Sequence, residues 1–219
     1  MIIGSLSAID RNHCPPSIGT GVRNRRNPQE AWITLYDAVQ SEMIRAGLRA
    51  GDRFIACELH PQDALALRRE FAGDRAVEVR DEDGYHALKA LLPPPERRGL
   101  VLIDPPFEVV DEFEVLQRAL RHGLRRFATG CYAVWYPIKD EASVEGFVQA
   151  FASPRSLRLE LRVPPSAAGK LAACGVLVIN PPWKFEEAMG EALPWLAAQL
   201  GLGVSALLAA GPATATAPA

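Results

Sequence analysis

The feature that most constrains this chain is a regular alternation of short apolar runs with segments of helical spacing, sustained from residue 54 to residue 200. Strands are expected at 54–59, 76–79, 100–103, 127–136, 157–163 and 175–179, and helices at 31–49, 61–71, 85–92, 112–123, 142–151 and 185–200. Runs such as Leu100 to Ile103 are apolar at every position, the pattern of strands buried on both faces. Apolar strands alternating with helices through short connections specify an α/β fold with a mainly parallel sheet. Such sheets hold ligands outside the carboxyl ends of their strands. The residues that follow each strand are therefore the candidates for chemistry.

The chain divides into an irregular N-terminal arm at 1–30, an α/β domain at 31–202 and a low-complexity tail at 203–219. The arm holds Pro15, Pro16, Pro28 and an arginine cluster, and lacks convincing periodicity. The tail is Ala, Thr, Pro and Gly. A chain of 219 residues can bury a full core without disulfides. The four cysteines are scattered with no C-x-x-C spacing, which points to neither a disulfide framework nor a zinc site and fits a reduced, cytoplasmic compartment. No stretch approaches the ~20 apolar residues of a membrane span. A net charge of −2 excludes a histone-like coat for DNA but leaves room for a local basic face.

The strongest chemical signal is Asp104-Pro105-Pro106-Phe107 at the end of the apolar run 100–103. Successive prolines fix the backbone and remove N–H donors, so their carbonyls stay available as acceptors. A carboxylate and a proline carbonyl beneath an aromatic ring suit an exocyclic amine on a flat heterocycle. A base in a duplex reaches such a pocket only when flipped or unpaired. Asn180-Pro181-Pro182-Trp183 repeats the pattern after 175–179. Order along the chain favours Asp104 for catalysis and leaves Asn180 to Trp183 as a supporting wall or structural turn. Glu58 ends the strand at 54–57, where doubly wound folds hold a ribose diol. Asp83-Gly84 follows the next strand and pairs a carboxylate with an unhindered backbone, as an adenine edge requires. The alternative readings are a helix N-terminal acid for Glu58 and an ordinary turn for Asp83-Gly84. Arg97, Arg98, Arg121, Arg125 and Arg126 lie away from that end, as RNA-phosphate contacts or solvated surface.

In the order acid, Asp-Gly, D-P-P-F, the segments 58–61, 82–85, 97–108, 125–138, 175–187 and 193–196 resemble the bacterial 23S ribosomal RNA adenine-N6 methyltransferases, also described as proteins for catabolism of external DNA. The resemblance implies a Rossmann-like fold and S-adenosylmethionine as methyl donor. It also implies an adenine of ribosomal RNA as acceptor, with neither metal nor membrane involved. It assigns Asp104 to catalysis, Pro105 and Phe107 to the base, and Glu58, Asp83 and Gly84 to the cofactor. Ser41 falls where the family has a Gly-Ser-Pro cofactor contact. The family's first strand ends in D-x-H-A-G-x-G, and no such segment is recognisable here, Gly19-Thr20-Gly21 having no apolar strand before it. The sheet is therefore expected to lack its first strand and Gly-rich loop. The alternatives are a DNA adenine-N6 methyltransferase or external-DNA-utilisation protein, and a catalytically impaired remnant that binds nucleic acid.

Overall fold

The computed structural model describes residues 2–6, 45, 48–105, 107, 111–164, 171–201 and 205–211, with 2–6 described by backbone alone. The strands are β1 (Ile2–Leu6), β2 (Phe54–Cys57), β3 (Val77–Arg80), β4 (Leu100–Asp104), β5 (Cys131–Pro137), β6 (Ser156–Arg162), β7 (Ala173–Ile179) and β8 (Ser205–Ala210). The helices are α1 (Pro61–Glu70), α2 (Gly84–Leu91), α3 (Glu112–Arg126), α4 (Glu141–Gln149) and α5 (Phe185–Leu200). All eight strands form one sheet in the order β3-β2-β1-β4-β5-β7-β6-β8. The first five of these neighbours are parallel, and the remaining pairings are antiparallel.

The expected absence of a first strand is corrected by β1. It pairs with β2 on one side and β4 on the other, so the middle of the five parallel strands comes from the segment expected to be an irregular arm. The sequence Ile-Ile-Gly-Ser-Leu hides this, because glycine and serine interrupt a five-residue run. Pairing on two sides, which is non-local, supplies what local propensity does not. Gly19 to Gly21, and the rest of the expected arm and the helix at 31–49 apart from Arg45, Leu48 and Arg49, fall outside the described residues.

The tail also needs correction. Ser205–Ala210 forms the edge strand β8, antiparallel to β6, with Leu208 opposite Leu159. Its alanines have low strand propensity and show no alternation. The strand forms because β6 offers an open edge and α5 packs across the pair, Met189 and Leu208 joining the same apolar cluster.

Period-two alternation divides the core between the two faces of the sheet. In β2, Phe54 and Ala56 meet Leu67 and Phe71 at α1, while Ile55 and Cys57 meet the larger cluster built with Leu88, Leu116, Leu120 and Phe147. Helix α3 presents Leu116 and Leu120, four residues apart, to that cluster. In β7, Leu177 and Ile179 join it from the other half of the sheet, and Val178 faces Leu193 of α5. Tyr136 lies across Gly175 on the adjacent strand, where a Cβ would stand 2.4 Å from the ring, so only glycine admits it. Its hydroxyl donates to Glu160, a buried carboxylate that Arg158 and Arg162 also hold.

The segment 163–172 between β6 and β7 is shorter than the roughly dozen residues a parallel crossover needs. β7 accordingly runs back against β6, and inserts antiparallel beside β5. This reversal decides which loops share an edge.

Candidate active site

The carboxyl ends of β3, β2, β1 and β4 define one edge. Registration aligns Cys57 with Ser5 and Ser5 with Ile103, so Glu58 stands level with Leu6 and Asp104. With β1 alone between them, the Glu58 and Asp104 backbones are ~10 Å apart at the usual strand spacing. Arg80 pairs with Cys57, which brings the turn holding Asp83 to the same edge. Glu58, Asp83, Gly84, Asp104, Pro105 and Phe107 are thus gathered from three loops. Ser41 lies outside the described residues.

Each acidic group is held differently. Glu58 is 2% exposed, and its Oε1 accepts from the His60 N–H at 2.7 Å. Pro61 opens α1 immediately after, where its missing N–H costs nothing. Asp83 is the N-cap of α2, its Oδ1 accepting the Tyr85 N–H at 2.9 Å. The Asp-Gly pair is therefore a helix start rather than a free turn. The capping carboxylate is exposed and keeps lone pairs for an amine. Asp104 is half-buried at the end of β4, and loss of water raises its carboxyl from 3.8 to about 6.

Phe107 sits at φ 51°, a left-handed conformation that costs a non-glycine residue about 1 kcal/mol or more. Its ring meets Phe113 at 5.0 Å and Trp135 edge-on at 6.0 Å. Lys139, after β5, donates to the Phe107 carbonyl at 3.5 Å. The aromatic residue is therefore wedged between α3 and β5, with its ring half-buried. Trp135 belongs to this site as a support. Tyr132 and Tyr136 of the same strand are wholly buried core, as their alternation with Trp135 requires.

Two supporting residues escaped sequence reasoning. The Tyr85 hydroxyl donates to Glu112 Oε1 at 2.7 Å, joining the start of α2 to the start of α3. Glu112 is buried, and burial beside that carboxylate pushes the Tyr85 phenol strongly up. The bond ties the Asp83-Gly84 cap to the helix that follows the D-P-P-F loop. The available signal was an acidic residue in the first turn of α3, which reads equally well as a response to the helix dipole.

Asn180-Pro181-Pro182-Trp183 lies on the opposite edge, because β7 is antiparallel to β5 and Ile179 pairs with Tyr132 near the start of that strand. Asn180 also has a positive φ of 53°, and its Nδ2 donates to the carbonyls of Ala128 at 2.9 Å and Gly130 at 2.8 Å. Its N–H donates to the Arg155 carbonyl. The residue is a structural clasp between three loops.

The donor chemistry of the first edge fits S-adenosylmethionine. A rigid carboxylate at the end of β2 suits a ribose diol, and a capping carboxylate beside a glycine suits an adenine edge. The two lie on the side of β1 away from Asp104, which leaves the D-P-P-F end for a second substrate.

Comparison with known proteins finds relatives of this chain. The family model described as Ribosomal RNA large subunit methyltransferase D, RlmJ, matches residues 23–206. Ribosomal RNA large subunit methyltransferase J of Haemophilus influenzae is 43% identical over 153 residues, covering 68% of this chain and 54% of the relative. The Escherichia coli protein of the same name is 41% identical over 162 residues, covering 72% and 58%. The chain thus spans little more than half the length of these curated relatives. The crystal structure of a Legionella pneumophila protein superposes with a TM-score of 0.70 at 35% identity, covering 75% of this chain and 62% of that one.

Proposed function

This chain belongs to the family described as Ribosomal RNA large subunit methyltransferase D, RlmJ, and from that premise we propose that it transfers a methyl group from S-adenosylmethionine to the N6 amine of an adenine in 23S ribosomal RNA. The observation that carries the reading is the common level of Glu58 and Asp104, two strands apart on one edge with β1 between them. Cofactor-type and amine-type acceptors stand side by side there.

S-adenosylmethionine, when bound, supplies an electrophilic sulfonium methyl that needs no acid catalyst. The difficulty lies with the acceptor, whose lone pair is delocalised into the purine ring. Asp104 and the Pro105 carbonyl accept hydrogen bonds from the amine and favour its pyramidal form. As the lone pair bonds to the methyl carbon, the carbon–sulfur bond would break and its electrons leave with a neutral thioether, so the nitrogen becomes cationic and must lose a proton. Asp104 takes it. A carboxyl held near 6 is a better proton acceptor than one at 3.8, yet remains mostly ionised at neutral pH. Phe107 packs against the base, and its own supports, Phe113 and Trp135, hold the ring in place. Glu58 and the Asp83-Gly84 cap bind the adenosine end of the donor. Fixing both partners in near-attack geometry supplies most of the acceleration.

The test is incubation of the chain with S-adenosylmethionine and unmodified 23S ribosomal RNA, followed by mass spectrometry of nucleosides. N6-methyladenosine that depends on Asp104 is the expected product. Methylation of duplex DNA in preference to the RNA would assign the pocket to the other nucleic acid. No product from either, with the fold intact, would contradict the reading.

A further inference from the structure

The edge opposite the candidate active site carries a cavity of about 510 Å³. Arg97, Arg98 and Arg155 line it together with Thr129, Asn180 and Pro182, and among the described residues no carboxylate does. All three arginines are exposed. Elsewhere Arg45, Arg53, Arg80, Arg158 and Arg162 each meet a glutamate. Among the described residues, the three around the cavity form no such pair, as is also true of several other exposed arginines, and what sets them apart is that they line one cavity together. Trp183, next in the chain after Pro182, is 90% exposed. A large indole left in water one residue along the chain from the wall of an arginine-lined cavity is a specific combination, because a stray surface tryptophan needs no cations near it in the fold.

The frame of this cavity is rigid. Arg97 is held at φ 52° with its N–H donating to the Pro94 carbonyl at 3.0 Å. Asn180 clasps the loop at 128–130 through its side chain and the loop at Arg155 through its backbone. The two guanidinium-bearing loops are therefore set before any ligand arrives, the one at 97–98 through the Gly99 carbonyl, which accepts the Cys131 N–H at 3.1 Å, and the one at 155 through Asn180.

We propose that this edge is a second nucleic-acid contact, where Arg97, Arg98 and Arg155 take backbone phosphates of a single-stranded RNA and Trp183 stacks on one of its unpaired bases. Guanidinium groups bind phosphate through paired N–H donors and stay charged at every working pH. Tracking a strand by cations with interleaved aromatic stacking is the usual mode for single-stranded nucleic acid. With a net charge of −2, attraction to a polyanion has to come from a local patch such as this one. The contact lies away from the D-P-P-F loop, so it holds a flanking part of the substrate and leaves the reacting adenine to the other edge. The choice of RNA rests on the methyl-transfer reading above.

The experiment is fluorescence anisotropy with a labelled single-stranded RNA about 12 nucleotides long, without S-adenosylmethionine. The triple variant Arg97→Ala/Arg98→Ala/Arg155→Ala is expected to bind ~10–100-fold more weakly at low salt and to lose about 2 from the slope of log K against log salt. Trp183→Ala is expected to weaken binding ~5–100-fold with the slope unchanged. Arg68→Ala/Arg69→Ala/Arg75→Ala removes equal charge from exposed positions at α1 and the turn after it, and is expected to stay within about twofold of the parent. Circular dichroism monitors the fold of every variant. Parent-like binding by the first two variants would overturn the proposal, as would equal losses in the α1 variant. Displacement of the strand by inorganic phosphate well beyond that by chloride at equal ionic strength would mark a free-phosphate pocket and also overturn it. Because the assay reads no methyl transfer, a chain that fails to methylate can still pass it, and a chain that methylates can fail it.

Discussion

Two loops of this molecule share nearly the same sequence and sit at opposite ends of the sheet. Asp104-Pro105-Pro106-Phe107 follows a strand parallel to its neighbours, while Asn180-Pro181-Pro182-Trp183 follows one that is antiparallel. In the first, the polar residue is a carboxylate raised toward neutrality by burial, beside the loops of Glu58 and Asp83. In the second, the amide spends its donors on two backbone carbonyls and holds loops together. The final aromatic differs as well, Phe107 being wedged against Phe113 and Trp135 while Trp183 stands in solvent. A motif's chemistry here depends on strand direction, because direction decides which loops surround it.

The largest expected effect separates the two loops at once. Asp104→Asn keeps the shape but cannot take a proton, so turnover should fall ~10²–10⁴-fold. The same change should stabilise the fold at pH 8. The Asp104 proton is held more tightly in the folded chain than in the unfolded, so its stabilising contribution is complete below about 3.8 and lost as pH rises through about 6. Removing that ionisation should add ~1–3 kcal/mol to unfolding stability, the lower part of the range reflecting partial exposure. A loss of stability instead would mean that the carboxylate is a structural partner.

The pH profile of the unsubstituted chain in the proposed reaction sharpens the same point. Turnover should fall about tenfold per unit below an apparent midpoint near 6, as Asp104 takes up a proton. A profile flat down to pH 5 would remove Asp104 from the proton-accepting role.

Asn180→Ala should act in the opposite manner. The part-buried Gly130 carbonyl and the exposed Ala128 carbonyl lose their donor, and alanine must adopt the left-handed backbone, together costing ~1–3 kcal/mol of stability by thermal or denaturant unfolding. Turnover per folded molecule should change by less than about threefold, against the far larger loss from removing a proton acceptor. A large drop in turnover without destabilisation would make the two loops chemically equivalent.

The smallest effect tests how the first loop is supported. Tyr85→Phe leaves Glu112 without the hydroxyl donor and should cost ~1–2 kcal/mol of stability. A several-fold loss in kcat/KM is expected alongside, because the helix after the D-P-P-F loop is no longer tied to the Asp83-Gly84 cap. Unchanged kinetics would make the bond purely structural.

The alternation of runs made most elements legible, and α5 at 185–200 has the bounds its periodicity implies. What the sequence concealed was non-local. Ile2–Leu6 becomes an interior strand only because β2 and β4 flank it, and Ser205–Ala210 becomes a strand only because β6 has an open edge. The grouping of Glu58, Asp83 and Asp104 was readable because parallel strands put all their carboxyl ends on one side. The separation of Asn180 from them was argued from chain order, which is the weaker argument. The short segment at 163–172 carries the stronger one, since too few residues for a crossover force β7 to reverse. The Tyr85–Glu112 bond was not legible, as it joins two helices whose relative position no local pattern encodes.

Backbone hydrogen exchange with and without S-adenosylmethionine tests most directly which edge does the chemistry. Protection is expected at 57–60, 83–86 and 103–107, the ends of β2 and β4 and the start of α2, with none gained at 128–131 or 180–184. Protection confined to 128–131 and 180–184 would contradict the account and move the cofactor to the opposite edge.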